Sequence, residues 1–179
     1  MAVTDDLQER IGEATGRLLG TVEGLSDDDV RQPSLLPGWS RGHVLTHLAR
    51  GAEALGNLLE WARTGVPTQA YASQQARNEA IERGAGRSAA ELLADIVASA
   101  GAFRTAAAAV PEHGWQRQVQ ALNFPEFPAS QVLVRRLVEV ELHHTDLGAG
   151  YGPGDWPAWF AGMELGEPMR TQRADRRAR

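Results

Sequence analysis

The sequence predicts an all-α fold, a four-helix bundle with a long crossover connection and a short irregular C-terminal tail. Three observations carry this. Four long segments space their apolar residues at steps of three and four, the signature of one buried helix face. No stretch alternates apolar and polar residues as a half-buried strand does. A chain of 179 residues, 42% hydrophobic and without cysteine, can bury one core that needs no disulfide.

The first helix is expected from about Thr4 to Gly24, with Leu7, Ile11, Ala14, Leu18, Val22 and Leu25 on one stripe. Ser26-Asp-Asp-Asp has the capping chemistry of a short turn or helix. Pro33 and Leu36-Pro-Gly then break the chain. Ser40 caps a second long helix, which runs to about Thr64 with Val44, Leu45, Leu48, Ala52, Leu55, Leu58 and Leu59 on its apolar side. Tyr71 to Arg83 is polar and reads as a short exposed helix in the crossover. Ser88-x-x-Glu91 is a capping box that opens a third long helix ending near Pro111. The fourth spans Ser130 to about Leu147, where four glycines and Pro153 stop it. Residues 1–164 are therefore assigned to the bundle. Residues 165–179, with five arginines at its end and no apolar periodicity, are assigned to a flexible Arg-rich tail.

Composition excludes several chemistries. Without cysteine there is no thiol nucleophile and no Cys-ligated metal, so any thiol chemistry must borrow its thiol. Every basic residue is arginine, which removes Schiff-base and P-loop lysines. A net charge of −5 argues against nucleic acid as a partner. The N-terminus lacks the apolar core of a signal peptide, and no uncharged apolar run is long enough to span a membrane, so a cytoplasmic location is expected.

Four of the five histidines fall in predicted helices. In the last helix Glu139 and His143 are four apart and share a face. Val132, Arg136 and Asp146 lie near that direction, whereas Leu133, Leu137, Val140 and His144 point away. A glutamate and a histidine one turn apart can both reach one cation, and catalytic zinc sites use three protein ligands with a fourth position open. A third ligand must come from a facing helix. His47, in the middle of the second helix, is the first candidate, and His43, one turn earlier, is the reserve. A Glu–His pair at this spacing is also an ordinary helix pair, so spacing alone leaves both readings open.

Three segments in register resemble one family. They are Leu36-Pro-Gly-Trp-Ser-Arg-Gly-His-Val-Leu-Thr-His-Leu-Ala-Arg50, the stretch from Gln74 to Ser88, and Arg136-Leu-Val-Glu-Val-Glu-Leu-His-His-Thr-Asp-Leu-Gly148. The run Tyr151-Gly-Pro-Gly-Asp-Trp156 also fits. Together they resemble the N-terminal domain of the mycothiol-dependent maleylpyruvate isomerase family, a DinB-like metal-binding bundle, over residues 5 to about 160. The resemblance implies a divalent metal, usually zinc, on His47, Glu139 and His143. It implies mycothiol as a thiol cosubstrate, activated as a metal-bound thiolate for addition to a small electrophile. For maleylpyruvate, addition to the cis double bond, rotation and thiol expulsion would give the trans isomer.

Arg136 is the expected catalytic residue, holding a substrate carboxylate or balancing Glu139. Asp146 is expected to orient a histidine. Isomerases of this family carry a further C-terminal domain, which makes a single-domain mycothiol S-transferase the alternative activity. A non-catalytic metal- or ligand-binding module is the alternative of another class. Bundles of this kind often pair through a helical face, so a homodimer is also an expectation.

Overall fold

Capping chemistry and apolar spacing place the helices close to where the sequence puts them. The computed structural model describes residues 3–178. Helix α1 (Val3–Val22) buries Leu7, Ile11, Ala14, Leu18 and Val22. The short α2 (Asp27–Arg31) is closed by a Ser26/Asp29 capping box. Helix α3 (Arg41–Thr64) starts at Ser40, whose hydroxyl accepts from the His43 N–H, and stops at Gly65 in the left-handed conformation. Helix α4 (Gln74–Ala85) lies in the crossover, and α5 (Ala89–Ala108) opens with the Ser88/Glu91 capping box. Helix α6 (Ser130–Asp146) completes the bundle.

The packing sets α5 and α6 each between α1 and α3, with α4 lying on α3. The core is apolar: Leu18, Leu45, Leu48, Leu58, Leu59, Leu92, Ile96, Leu133 and Leu137 are all fully enclosed. The crossover helix approaches α3 closely. A Cβ on Gly42 would stand 2.2 Å from the carbonyl oxygen of Ala85, so only glycine fits at this crossing.

Two features depart from the sequence reading. Between α5 and α6 a 3₁₀ turn (Glu112–Gln116) leads into a two-residue antiparallel ribbon, β1 (Gln118–Val119) against β2 (Phe127–Pro128). Two residues per strand are too few for alternation to register. The larger difference is the C-terminal segment, expected as a flexible tail. Residues 165–179 include α8 (Met169–Arg177), which packs on α6 and follows a short α7 (Ala158–Gly162) in the part assigned to the bundle. Val138, Leu142, Trp156, Phe160, Leu165 and Met169 form a second apolar cluster that fastens the segment to the bundle. Arg173 and Arg176 are buried by their stems, and Arg173 donates to the carbonyls of Phe160 (2.6 Å) and Met163 (2.7 Å). Among the described residues no helix is long and apolar enough to cross a membrane.

A polar network closes the side of α6 that faces α1. Buried Glu141 accepts from Arg17 (2.5 Å) and from the Tyr151 hydroxyl (2.6 Å). The Tyr151 ring stacks on His144 at 3.8 Å between centroids, and His144 Nε2 meets Thr21 Oγ1 at 2.7 Å. His144 is therefore a packing residue, and burial, helped by nearby Arg17, pushes its pKa down to about 4.

Three expected outcomes follow from this packing. Gly42→Ala should lower the thermal midpoint sharply, because two backbones must separate. Gly56→Ala, within α3 and with open space at its Cβ, should raise stability by about 0.5–1 kcal/mol. The His144 pKa is depressed in the folded chain, so its contribution is complete above about 6.5 and is lost as pH falls toward about 4. Urea midpoints at pH 7 and pH 5 should differ more for the wild type than for His144→Phe.

Candidate metal centre

Three side chains from two helices meet at the head of a cavity. His47 sits in the middle of α3, where the Ser40 cap fixes the helix phase and Val44, Leu45 and Leu48 anchor it in the core. Glu139 and His143 stand one turn apart on α6. His47 Nε2 lies 3.0 Å from Glu139 Oε2 and 3.1 Å from His143 Nε2, and the third edge, His143 Nε2 to Glu139 Oε2, is 3.4 Å. Tetrahedral ligands at about 2.0–2.1 Å from a zinc ion stand about 3.3–3.4 Å apart. One edge matches that spacing and the other two are slightly shorter. Two imidazole nitrogens and a carboxylate oxygen are also the donor set that zinc accepts. The residues present therefore fit a divalent cation.

The outer ring atoms have their own partners. His143 Nδ1 meets Asp146 Oδ2 at 2.9 Å, which keeps a ring proton on Nδ1 and turns Nε2 inward. His47 Nδ1 meets Arg77 Nη2 of α4 at 3.2 Å. Trp39 lies edge-on to the His47 ring at 5.6 Å and limits its rotation.

The electrostatics are those of a coupled cluster in a poorly solvated place. Burial lowers the His47 pKa, against the pull of Glu139. Burial opposes the Glu139 charge, but the two histidines outweigh it and hold the carboxyl well below its usual range. For His143, burial is overcome by the hydrogen bonds to Asp146 and Glu139, and its pKa rises to about 9. Asp146 is held low by His143 and Arg176 in spite of burial.

The triangle opens onto a cavity of about 410 Å³ between α3, α4, the 121–124 loop, α6 and the start of α8. Its walls are mixed. Leu55, Val138 and Met169 give an apolar floor, and Gln74, Gln172, Tyr71, Arg77 and Arg135 bring polar groups to it. Arg135 is held over the rings of Phe124 (4.8 Å) and Phe127 (4.2 Å), and its Nε has no hydrogen-bond partner among the described residues. Burial raises the Tyr71 pKa to about 12, so its hydroxyl keeps its proton.

The structure brings His47, Glu139 and His143 together and leaves Arg136 out. Arg136 projects from the other flank of α6, where its Nη1 donates to the Leu48 carbonyl (2.9 Å) and its guanidinium lies 5.8 Å from the Phe103 ring. It lines a separate groove between α1 and α5. The cations that reach the cavity are Arg77 and Arg135. Arg135 had a signal: it precedes Glu139 by four residues, so Arg135, Glu139 and His143 form one stripe. Arg77 had none, because its approach depends on how the crossover folds back. His43 turns to its own cap, with Nδ1 2.7 Å from Ser40 Oγ, and toward Glu82 of α4. Arg50 pairs with Glu53 and Asp95, and Asn57 donates to the Gln69 carbonyl; neither lines the cavity.

Fold and site together define a DinB-like helical bundle with a His/Glu/His centre. Residues 11–148 match the family described as mycothiol maleylpyruvate isomerase N-terminal domain. Two solved structures resemble the chain. One is described as the crystal structure of the mycothiol-dependent maleylpyruvate isomerase. It is 33% identical, with a TM-score of 0.80, over 88% of this chain and 68% of that one. The other, a histidine-to-alanine mutant of that isomerase, gives a TM-score of 0.79 at the same identity and coverage. No curated protein matches the chain. The chain belongs to the mycothiol-dependent maleylpyruvate isomerase family through its N-terminal domain.

Proposed function

We propose that the protein is a metal-dependent enzyme that activates mycothiol for addition to a small, carboxylate-bearing electrophile, in the manner of a maleylpyruvate cis–trans isomerase. The observation that carries this reading is the His47/Glu139/His143 triangle opening onto a cavity that also holds two arginines. His47, Glu139 and His143 would hold the cation, with zinc the first choice for this donor set. A bound divalent cation supplies the positive charge that keeps a thiol ionised near neutral pH, and the thiolate is the competent nucleophile.

The chain's own residues do the rest. Asp146 holds the His143 proton on Nδ1 and so aims Nε2. His47, holding a cation through Nε2, would carry its ring proton on Nδ1, which faces the Arg77 N–H; two facing donors would leave the Arg77 guanidinium available to a substrate carboxylate. Arg135, fixed over Phe124 and Phe127, offers a second anchor at the end of the cavity nearer the 121–124 loop. The apolar floor keeps water from the reacting double bond. The thiolate sulfur adds to one alkene carbon, and the electron pair moves onto the conjugated carbonyl. Rotation about the single bond then made, followed by C–S cleavage, returns the thiolate and leaves the trans alkene. Protonation of the adduct carbon instead would keep the C–S bond and give an S-conjugate, the transferase outcome.

Purified without added metal, the wild type should carry near one zinc per chain, and His47→Ala should carry little. Elemental analysis of both preparations reads this directly. With maleylpyruvate and mycothiol, the loaded enzyme should form the trans isomer with no net loss of thiol. Stoichiometric thiol loss with an S-conjugate as product would assign the transferase instead. Arg135→Ala should raise KM for an anionic substrate about tenfold or more, because one charge-assisted contact is removed.

A further inference from the structure

The ligand triangle is completed by a segment beyond the family match. That match ends at residue 148, and α8 begins at Met169. Arg176, buried on the inner face of α8, forks onto Asp146. Its Nε is 3.1 Å from both carboxylate oxygens, and its Nη2 is 2.5 Å from Oδ2. Oδ2 is the same atom that meets His143 Nδ1. Asp146 is fully enclosed, so these contacts are made without water competing for the carboxylate. Arg176 is tied to its own helix by its Nη1, which donates to the Gln172 carbonyl at 2.9 Å. A continuous line of contacts thus runs from α8 through Asp146 and His143 to the inner Nε2.

Geometry says what the guanidinium adds. A carboxylate held by one imidazole alone can rotate about its last torsion, and the histidine it orients rotates with it. A planar fork fixes the plane of the carboxylate as well as its charge. A carboxylate behind a ligating histidine sets the tautomer and the aim of the ring. Arg173 shares the buried face of α8 with Arg176 but has another task. It docks the helix through the Phe160 and Met163 carbonyls, and the contacts of its guanidinium do not include Asp146.

We propose that Arg176 is a positioning residue of the metal centre. By locking Asp146 it fixes His143, so the C-terminal helix, and not the bundle alone, sets the affinity for the divalent cation. The proposal rests on the reading of His47, Glu139 and His143 as metal ligands.

The test measures zinc affinity by chelator competition, together with thermal midpoints, on the full chain. The variants are Arg176→Gln, Arg176→Lys, Arg173→Gln, Asp146→Asn and the double variant Asp146→Asn with Arg176→Gln. Arg176→Gln should weaken zinc binding by about tenfold or more, the range for residues behind metal ligands, and Arg176→Lys should recover part of it. Arg173→Gln should lower the thermal midpoint while zinc affinity stays within about twofold. The double variant should bind zinc no more weakly than Asp146→Asn alone, since both act on one contact. Wild-type affinity in Arg176→Gln, or losses that add in the double variant, would overturn the proposal. If Arg176→Gln does not fold, Arg176→Lys decides, and an unchanged zinc affinity there overturns the proposal equally. A wild type that takes up no zinc would remove the metal reading itself, a result seen before any variant is compared.

Discussion

Two imidazole nitrogens and a carboxylate oxygen stand 3.0–3.4 Å apart inside the protein, and much of the surrounding structure keeps them there. Groups so close, two of them nearly enclosed histidines, do not settle together unaided, because burial opposes their charge. The arrangement persists because every arm is held from behind. Helix α3 is locked in phase by the Ser40 cap and by leucines with no exposed surface. Helix α6 is pinned on one side by the Glu141–Arg17–Tyr151 network and on another by the apolar cluster around Phe160. The site inherits its rigidity from these contacts, and a preorganised ligand set binds a cation without first ordering the side chains.

Helix α6 carries several tasks on adjacent faces, which is why so many of its residues are polar and yet enclosed. One stripe, Arg135–Glu139–His143, carries Arg135 and Glu139 to the cavity wall and His143 to the triangle at its head. Arg136, between that stripe and the core, is enclosed against Leu48 and Phe103. Burial there lowers its pKa to about 10. Glu141 and His144 face α1, and Thr145 accepts from the Trp156 indole at 2.9 Å. Consecutive residues on this helix point about 100 degrees apart, so Arg135 lies about 40 degrees to one side of Glu139 and Arg136 about 60 degrees to the other.

That angular sensitivity explains what could be read in advance. The four long helices were legible because their stripes are apolar, and α3 and α5 also open on serine caps with the right partner three residues on. The Glu139–His143 spacing and the central His47 were legible because a helix turns a short spacing into a direction. Arg136 was misplaced for the same reason. A helical wheel puts it near Glu139, but the wheel cannot say which flank meets the neighbouring helix. Helix α8 escaped because its buried face is Met169, Arg173 and Arg176. It has helical spacing, but arginine stems stand where apolar residues are looked for. Arg77 and the cavity depend on the crossover folding back over α3, a non-local event with no local signature.

The C-terminal segment changes how the site is divided between parts of the chain. Within the residues that match the family, α3 and α6 supply all three candidate ligating atoms. Pro168, Met169 and Gln172 then form part of the cavity wall, and Arg176 reaches the carboxylate behind His143. A substrate bound here would touch a surface that the bundle alone does not possess. Ligand identity thus belongs to the bundle, while the shape of the cavity and the aim of one ligand belong partly to α8. Substitution of Gln172, which lines the cavity from α8, can then alter what the cavity accepts while α3 and α6 keep their core contacts.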